Sequence, residues 1–150
     1  MSLLAVSPVD GRYAEKTAAL SPFFSEMALI KYRLKTEVEY FISLCELPLP
    51  QLNDLSQKDL DTIHGILDSF SEADAQSIKD IEKVTNHDVK AVEYFMRDKF
   101  EALNLGAYKE FIHFGLTSQD VNNTAMPMML KDALSNVVIP KLEKTLNTFK

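Results

Sequence analysis

The sequence predicts an all-α fold, and three observations carry that expectation. Apolar residues recur at spacings of three and four through most of the chain, the pattern of helices with one buried face. Only four glycines occur in 150 residues, with no Asn-Gly pair and a single Asp-Gly pair, Asp10-Gly11, so the tight turns that join β-strands have few places to form. Helix-capping residues, Ser, Thr, Asn and Asp, stand where the apolar runs begin. A chain of this length supports one ordinary core, and 46% apolar with 25% charged residues is the balance of a globular protein.

The elements follow in order. From Ser21, "SPFFSEMALIKYRLKTEVEYFISLCELPLP" reads as one long amphipathic helix. Ser21 is its N-cap, Pro22 its first helical position, and Phe23, Met27, Ile30, Leu34, Val38, Phe41 and Cys45 its apolar face. Pro48 and Pro50 stop it. A shorter helix runs from about Gln57 to Phe70 on a stripe of Leu60, Ile63 and Leu67. Ser71, with Asp74 three residues on, forms a capping-box pattern and opens a helix reaching about Val84. "TNHDVKAVEYFMRDKF" restarts the period, with Thr85, Asn86 and Asp88 offering cap oxygens and Val89, Val92, Met96 and Phe100 on one face.

The pattern breaks near Gly106, and the interval 105–108 is the one candidate boundary, dividing 1–108 from 109–150. Thr117, Ser118, Asp120 and Asn122 then crowd at the start of the next helix, whose apolar residues continue through Met129, Leu130 and Leu134. A further helix begins in "NVVIPKLEKTLNTFK", with Pro140 near its first turn. Its pattern is still running at Lys150 with no closing glycine, so it is expected either to fray or to be the front part of something longer.

Several function classes are excluded at this stage. The net charge of -6, without a Lys/Arg block, argues against a nucleic-acid binder but not against a small anionic ligand. No 18-residue apolar run and no basic, apolar leader occur, so a cytoplasmic protein with no membrane partner is expected. Cys45 has no partner for an internal disulfide and is read as a buried reduced thiol. His64, His87 and His113 are too far apart in sequence to form a metal motif, so no metal is expected. There is no P-loop, GxGxxG or GxSxG pattern, and no cofactor is expected.

Three polar clusters remain. "SPVDGRY", residues 7–13, sets a tight turn presenting Arg12 beside Tyr13, a cationic fork next to an aromatic hydroxyl that suits a phosphate and its attached base or sugar. "TNHD", residues 85–88, puts His87 at a helix start where the dipole favours an anion, with Lys90, Tyr94 and Arg97 further along the same side. "TSQD", residues 117–120, sets two hydroxyls and free N–H groups at a helix N-terminus, a pocket suited to a carboxylate. Asp120 would repel such a ligand and is read as steadying the helix start. Each cluster also has a plain structural reading: an exposed turn, a solvated helix face and an ordinary cap.

Taken together, "SPVDGRY", "TNHDVKAVEYF" and "FIHFGLTSQDVNN" resemble, in order, the N-terminal part of the bacterial adenylosuccinate lyase family of the fumarase/aspartase superfamily. The resemblance runs over essentially the whole chain. Related argininosuccinate lyases and fumarases carry "RSRND"-like and "SSND"-like stretches where this chain has "LTSQD". It implies the superfamily's N-terminal helical domain over 1–108 and the first part of its central helical bundle over 109–150. It also implies β-elimination of fumarate from adenylosuccinate, giving AMP, and from the succinyl-carboxamide intermediate SAICAR, giving AICAR, in purine biosynthesis. Arg12 and Tyr13 would contact the nucleotide, Asn86, His87 and Asp88 would line the substrate site, and Thr117 and Ser118 would hold the succinyl carboxylate. The family's general base, a serine in an "SSxMPxKxN" loop, and its acid, a histidine in a "THGQ"-like segment, have no counterpart in these 150 residues. "AMPMMLKDA" shares only Met-Pro with the first.

The same resemblance implies a homotetramer in the longer family members. Met128, Met129, Leu130 and Leu134 would face its bundle partners, and the 150 residues alone would be inactive and prone to self-association. Two other readings stay open: a helical interaction module without activity, and a superfamily lyase with a non-purine substrate.

Overall fold

The computed structural model describes residues 4–149, all-helical with no strand among them. After the turn at 7–13, a short helix α1 (Ala14–Thr17) and a 3-10 turn (Ala18–Leu20) lead into α2 (Ser21–Phe24) and the 20-residue α3 (Glu26–Cys45). A 3-10 turn (Pro50–Leu52) precedes α4 (Gln57–Asp68), α5 (Glu72–Thr85) and α6 (Asp88–Ala102). A third 3-10 segment (Gly106–Phe111) reaches α7 (Ser118–Ala133), which passes through a π-helical turn (Leu134–Val138) into α8 (Ile139–Thr148). Lys150, where the terminal pattern was still running, lies outside the described residues.

The helix predicted from Ser21 is divided. Ser25 takes an extended ψ of 164° and its hydroxyl accepts from the Ala28 N–H, so Ser25, not Ser21, caps α3. Either serine is chemically able to cap. At Ser25, Glu26 falls in the first turn, where the helix dipole favours it and Lys79 of α5 pairs with it at 2.9 Å. Ser25→Ala is therefore expected to cost about 1 kcal/mol in urea unfolding, whereas Ser21→Ala leaves the midpoint unmoved; equal effects would contradict this assignment of the cap.

α3 is the axis of the fold. Ile30, Leu34, Val38 and Phe41 on its predicted apolar face are at most 2% exposed and meet Ile63 and Leu67 of α4, Ile78 of α5, and Val92, Met96 and Phe100 of α6 in one cluster. Phe41 and Phe100 meet edge to face, ring centroids 4.9 Å apart, at its centre. The α6 stripe of Val89, Val92, Met96 and Phe100 is fully buried as its spacing predicted. The Ser71–Asp74 capping box opens α5, also as predicted. Cys45 is partly buried, which raises its thiol pKa.

α7 lies along α3 on Val121, Ala125, Met129 and Ala133, residues four apart. This corrects the expectation that Met129 faces outward, because the period set by Val121 turns it onto α3. Leu130 and Leu134 do stay exposed. The further helix expected with Pro140 near its first turn is α8, which a π-helical turn joins to α7 without a break. Pro140 cannot donate to the carbonyl four residues back, and the widened turn over 134–138 absorbs the misfit, Ile139 N–H reaching Leu134 O.

Tyr32 of α3 donates to Asp132 of α7 at 2.7 Å, and burial, with the Asp132 charge and hydrogen bond, pushes the phenol up to about 12. A folded-state pKa above the unfolded value means this contribution is complete below pH 10 and is lost as pH rises through about 12. Tyr32→Phe is expected to flatten that alkaline loss of stability; an unchanged stability profile between those pH values would refute the linkage.

Candidate functional site

The three clusters begin as local backbone geometry. In the first, the Ser7 N–H donates to Asp10 Oδ1 at 2.9 Å and the Tyr13 N–H to Pro8 O at 2.8 Å, closing the turn. The hydrogen bonds from Ser7 hold the Asp10 carboxyl below its usual range. Arg12 lies over the Tyr13 ring, 5.4 Å from its centroid, with both side chains exposed. No polar contact among the described residues joins this pair to the other two clusters.

In the second, Asn86 ends α5 in the left-handed region, φ 52°, which an asparagine tolerates. The cap of α6 is then His87 itself rather than the oxygens of Thr85, Asn86 or Asp88, its Nδ1 accepting from the Lys90 N–H at 3.1 Å. An Nδ1 that accepts leaves the hydrogen of the neutral imidazole on Nε2. Asp88 turns away to meet Arg33. The expected solvated stripe beyond it is partly inward: Lys90 and Arg97 both pair with Glu93, which is 3% exposed.

The third cluster follows two left-handed residues, His113 (φ 60°) and Gly115 (φ 73°), which turn the chain into α7. Thr117 and Asp120 form a full capping box, the Thr117 hydroxyl both accepting from the Asp120 N–H and lying 2.7 Å from its carboxylate. Asp120 therefore steadies the helix start, and the bonds from Thr117 hold its carboxyl below the usual range. The Thr117 hydroxyl is committed to this cap. Ser118, the first helical residue, is not used by the cap.

Folding brings the second and third clusters together. Ser118 Oγ lies 3.3 Å from His87 Nε2, so the N-termini of α6 and α7 converge on one point with a hydroxyl and an imidazole N–H between them. Two helix starts, each with unsatisfied N–H groups and a positive dipole end, can hold an anionic oxygen there. The His87 side chain is 49% exposed, so this is an open half-site rather than an enclosed pocket.

Sequence reasoning missed the residues of α3 that support this point. Arg33, Glu37 and Tyr40, four and three residues apart, form a polar stripe beside the apolar one. Arg33 Nη2 binds Asp88 at 2.6 Å and its Nε donates to Asn122 Oδ1 at 2.9 Å. Glu37 Oε1 lies 2.5 Å from His113 Nδ1, and the Tyr40 hydroxyl donates to Phe114 O at 2.9 Å. Glu37 is wholly buried with Oε2 unpartnered, and that burial pushes its carboxyl up against the opposing pull of His113. In sequence, an Arg and a Glu four apart read as an exposed pair; no local signal separates that from two buried groups with distant partners.

Residues 11–150 match the protein family described as lyase. The chain is 49% identical to the adenylosuccinate lyase of Dictyostelium discoideum over 149 residues, 97% of this chain and 32% of that protein. It is 44% identical to the adenylosuccinate lyase of Escherichia coli K12 over 151 aligned positions, 99% of this chain and 33% of the other. The corresponding enzyme of Legionella pneumophila strain Corby is likewise 44% identical, with 98% of this chain covered. The chain spans about a third of the length of these curated relatives.

Proposed function

The chain belongs to this lyase family, and from that premise we propose that it forms part of an adenylosuccinate lyase, an enzyme of purine biosynthesis that acts in the cytoplasm. The complete enzyme eliminates fumarate from adenylosuccinate, giving AMP, and from SAICAR, giving AICAR, without a cofactor. The names of the relatives support the reaction. The observation that carries the site is the 3.3 Å approach of His87 to Ser118, which joins two motifs 31 residues apart at two helix N-termini.

Elimination removes a proton from the carbon next to a carboxylate, spreads the charge into that carboxylate, and protonates the leaving nitrogen. In this reading Ser118 and the α7 N–H groups hold the succinyl carboxylate, with Thr117 contributing backbone and cap rather than its hydroxyl. His87 donates from Nε2 to the substrate's phosphate or supports the acid. Asn86 and Asp88 border the site, Asp88 through its pairing with Arg33, and Arg12 with Tyr13 takes the phosphoribosyl part. The base and acid come from motifs these 150 residues do not contain. Residues 1–108 would form the N-terminal domain and 109–150 the first part of the bundle.

An exposed stripe of Met126, Leu130, Leu134, Ile139, Leu142 and Leu146 continues along α7 and α8, and α8 buries none of its residues. We assign this stripe to helix packing in the homotetramer of the complete enzyme. The purified 150 residues, free of host lyase, are expected to release no fumarate from adenylosuccinate and to scatter light as a species larger than a monomer. Measurable fumarate release would overturn the first expectation, and a monodisperse monomer the second.

A further inference from the structure

The N-termini of α6 and α7 meet although neither helix packs mainly on the other: α6 lies chiefly on α5, and α7 on α3. Besides the His87–Ser118 contact itself, one side chain bridges them among the described residues. Arg33 of α3, only 6% exposed, reaches Asp88, the first residue of α6, with Nη2 and Asn122 of α7 with Nε. Asp88 directly follows His87, and Asn122 stands one helical turn after Ser118, on the same side of α7. The guanidinium is planar and rigid, so its two bonds leave along fixed directions and set a separation between their acceptors. A lysine ammonium, a point charge on a flexible stem, cannot fix both at once.

We propose that Arg33 is a positioning residue, a buried crossbar that sets the distance between His87 and Ser118 by clamping Asp88 and Asn122. The inference rests on the site reading above for its functional consequence and on the Arg33 geometry alone for its structural one.

The test is a nuclear Overhauser cross-peak between the His87 ring and the Ser118 Cβ protons in this chain, compared with Arg33→Met, Arg33→Lys and the single-arm variant Asn122→Ala. The cross-peak is expected in the parent and is expected to vanish in both Arg33 variants while the amide signals of α4 and α5 stay in place. Its persistence in either folded Arg33 variant overturns the proposal. Should both unfold, Asn122→Ala decides: a weakened cross-peak supports the crossbar and an unchanged one refutes it. In the complete enzyme, Arg33→Lys is expected to lower kcat/KM about 100-fold, the scale of an ångström-level misplacement. A merely structural requirement for a buried cation would instead let lysine restore activity. If His87→Ala and Ser118→Ala leave turnover intact, the site reading fails, and the cross-peak still decides whether Arg33 sets the spacing.

Discussion

Replacing His87 with alanine is expected to lower turnover of adenylosuccinate by about 10²- to 10⁴-fold once this chain is assembled with the remainder of a lyase, the range of a positioned proton donor. The cause lies in how the ring is held. Its Nδ1 is occupied by the Lys90 N–H, and its Nε2 faces Ser118 Oγ at 3.3 Å. The cap thereby fixes both the orientation and the tautomer of the ring. Alanine also removes the cap, so His87→Asn is the informative companion. Asparagine is a good N-cap and keeps the start of α6, but it cannot reach Ser118 as Nε2 does. Fumarate release followed at saturating and limiting substrate should fall by a similar factor in both variants. If His87→Asn keeps full turnover, His87 is a cap and nothing more, and the non-enzymatic reading of the helix starts gains ground.

Phe100→Ala is expected to lower stability by about 3–5 kcal/mol, against a typical total of about 5–15 kcal/mol for a domain. Phe100 is wholly buried and sits edge to face with Phe41 of the central helix, so its loss leaves a cavity where α3 and α6 meet. Urea unfolding followed by far-ultraviolet circular dichroism measures the shift in midpoint. Phe149→Ala is the control: that ring is 85% exposed, and its removal should leave the midpoint unmoved. Similar shifts in the two variants would mean that the Phe41–Phe100 contact does not anchor the core.

Much of the fold is legible along the chain because helix signals are local. The capping boxes of Ser71 with Asp74 and Thr117 with Asp120 close within four residues, so their letters suffice. The α6 stripe needs only the helical period. Where two local solutions compete, the letters do not choose. Ser21 and Ser25 both make acceptable caps, and a contact from Lys79, more than fifty residues away, accompanies the one adopted. His87 was legible as a residue at a helix start, but not as the cap, because a histidine cap is outranked by the Asn and Asp beside it in any local preference.

The sequence by itself determined the all-helical architecture, the residues of the apolar core, and three clusters whose order resembles one lyase family. Those features depend on neighbours within a turn or two, or on motifs read as strings. Only the tertiary structure decided that His87 and Ser118 face each other and that Arg33 and Glu37 lie inside. Each of these requires a partner 31 to 89 residues distant. A charged side chain on a helix face carries the same letter whether it meets water or a buried partner; the packing of α6 and α7 around α3 makes the difference.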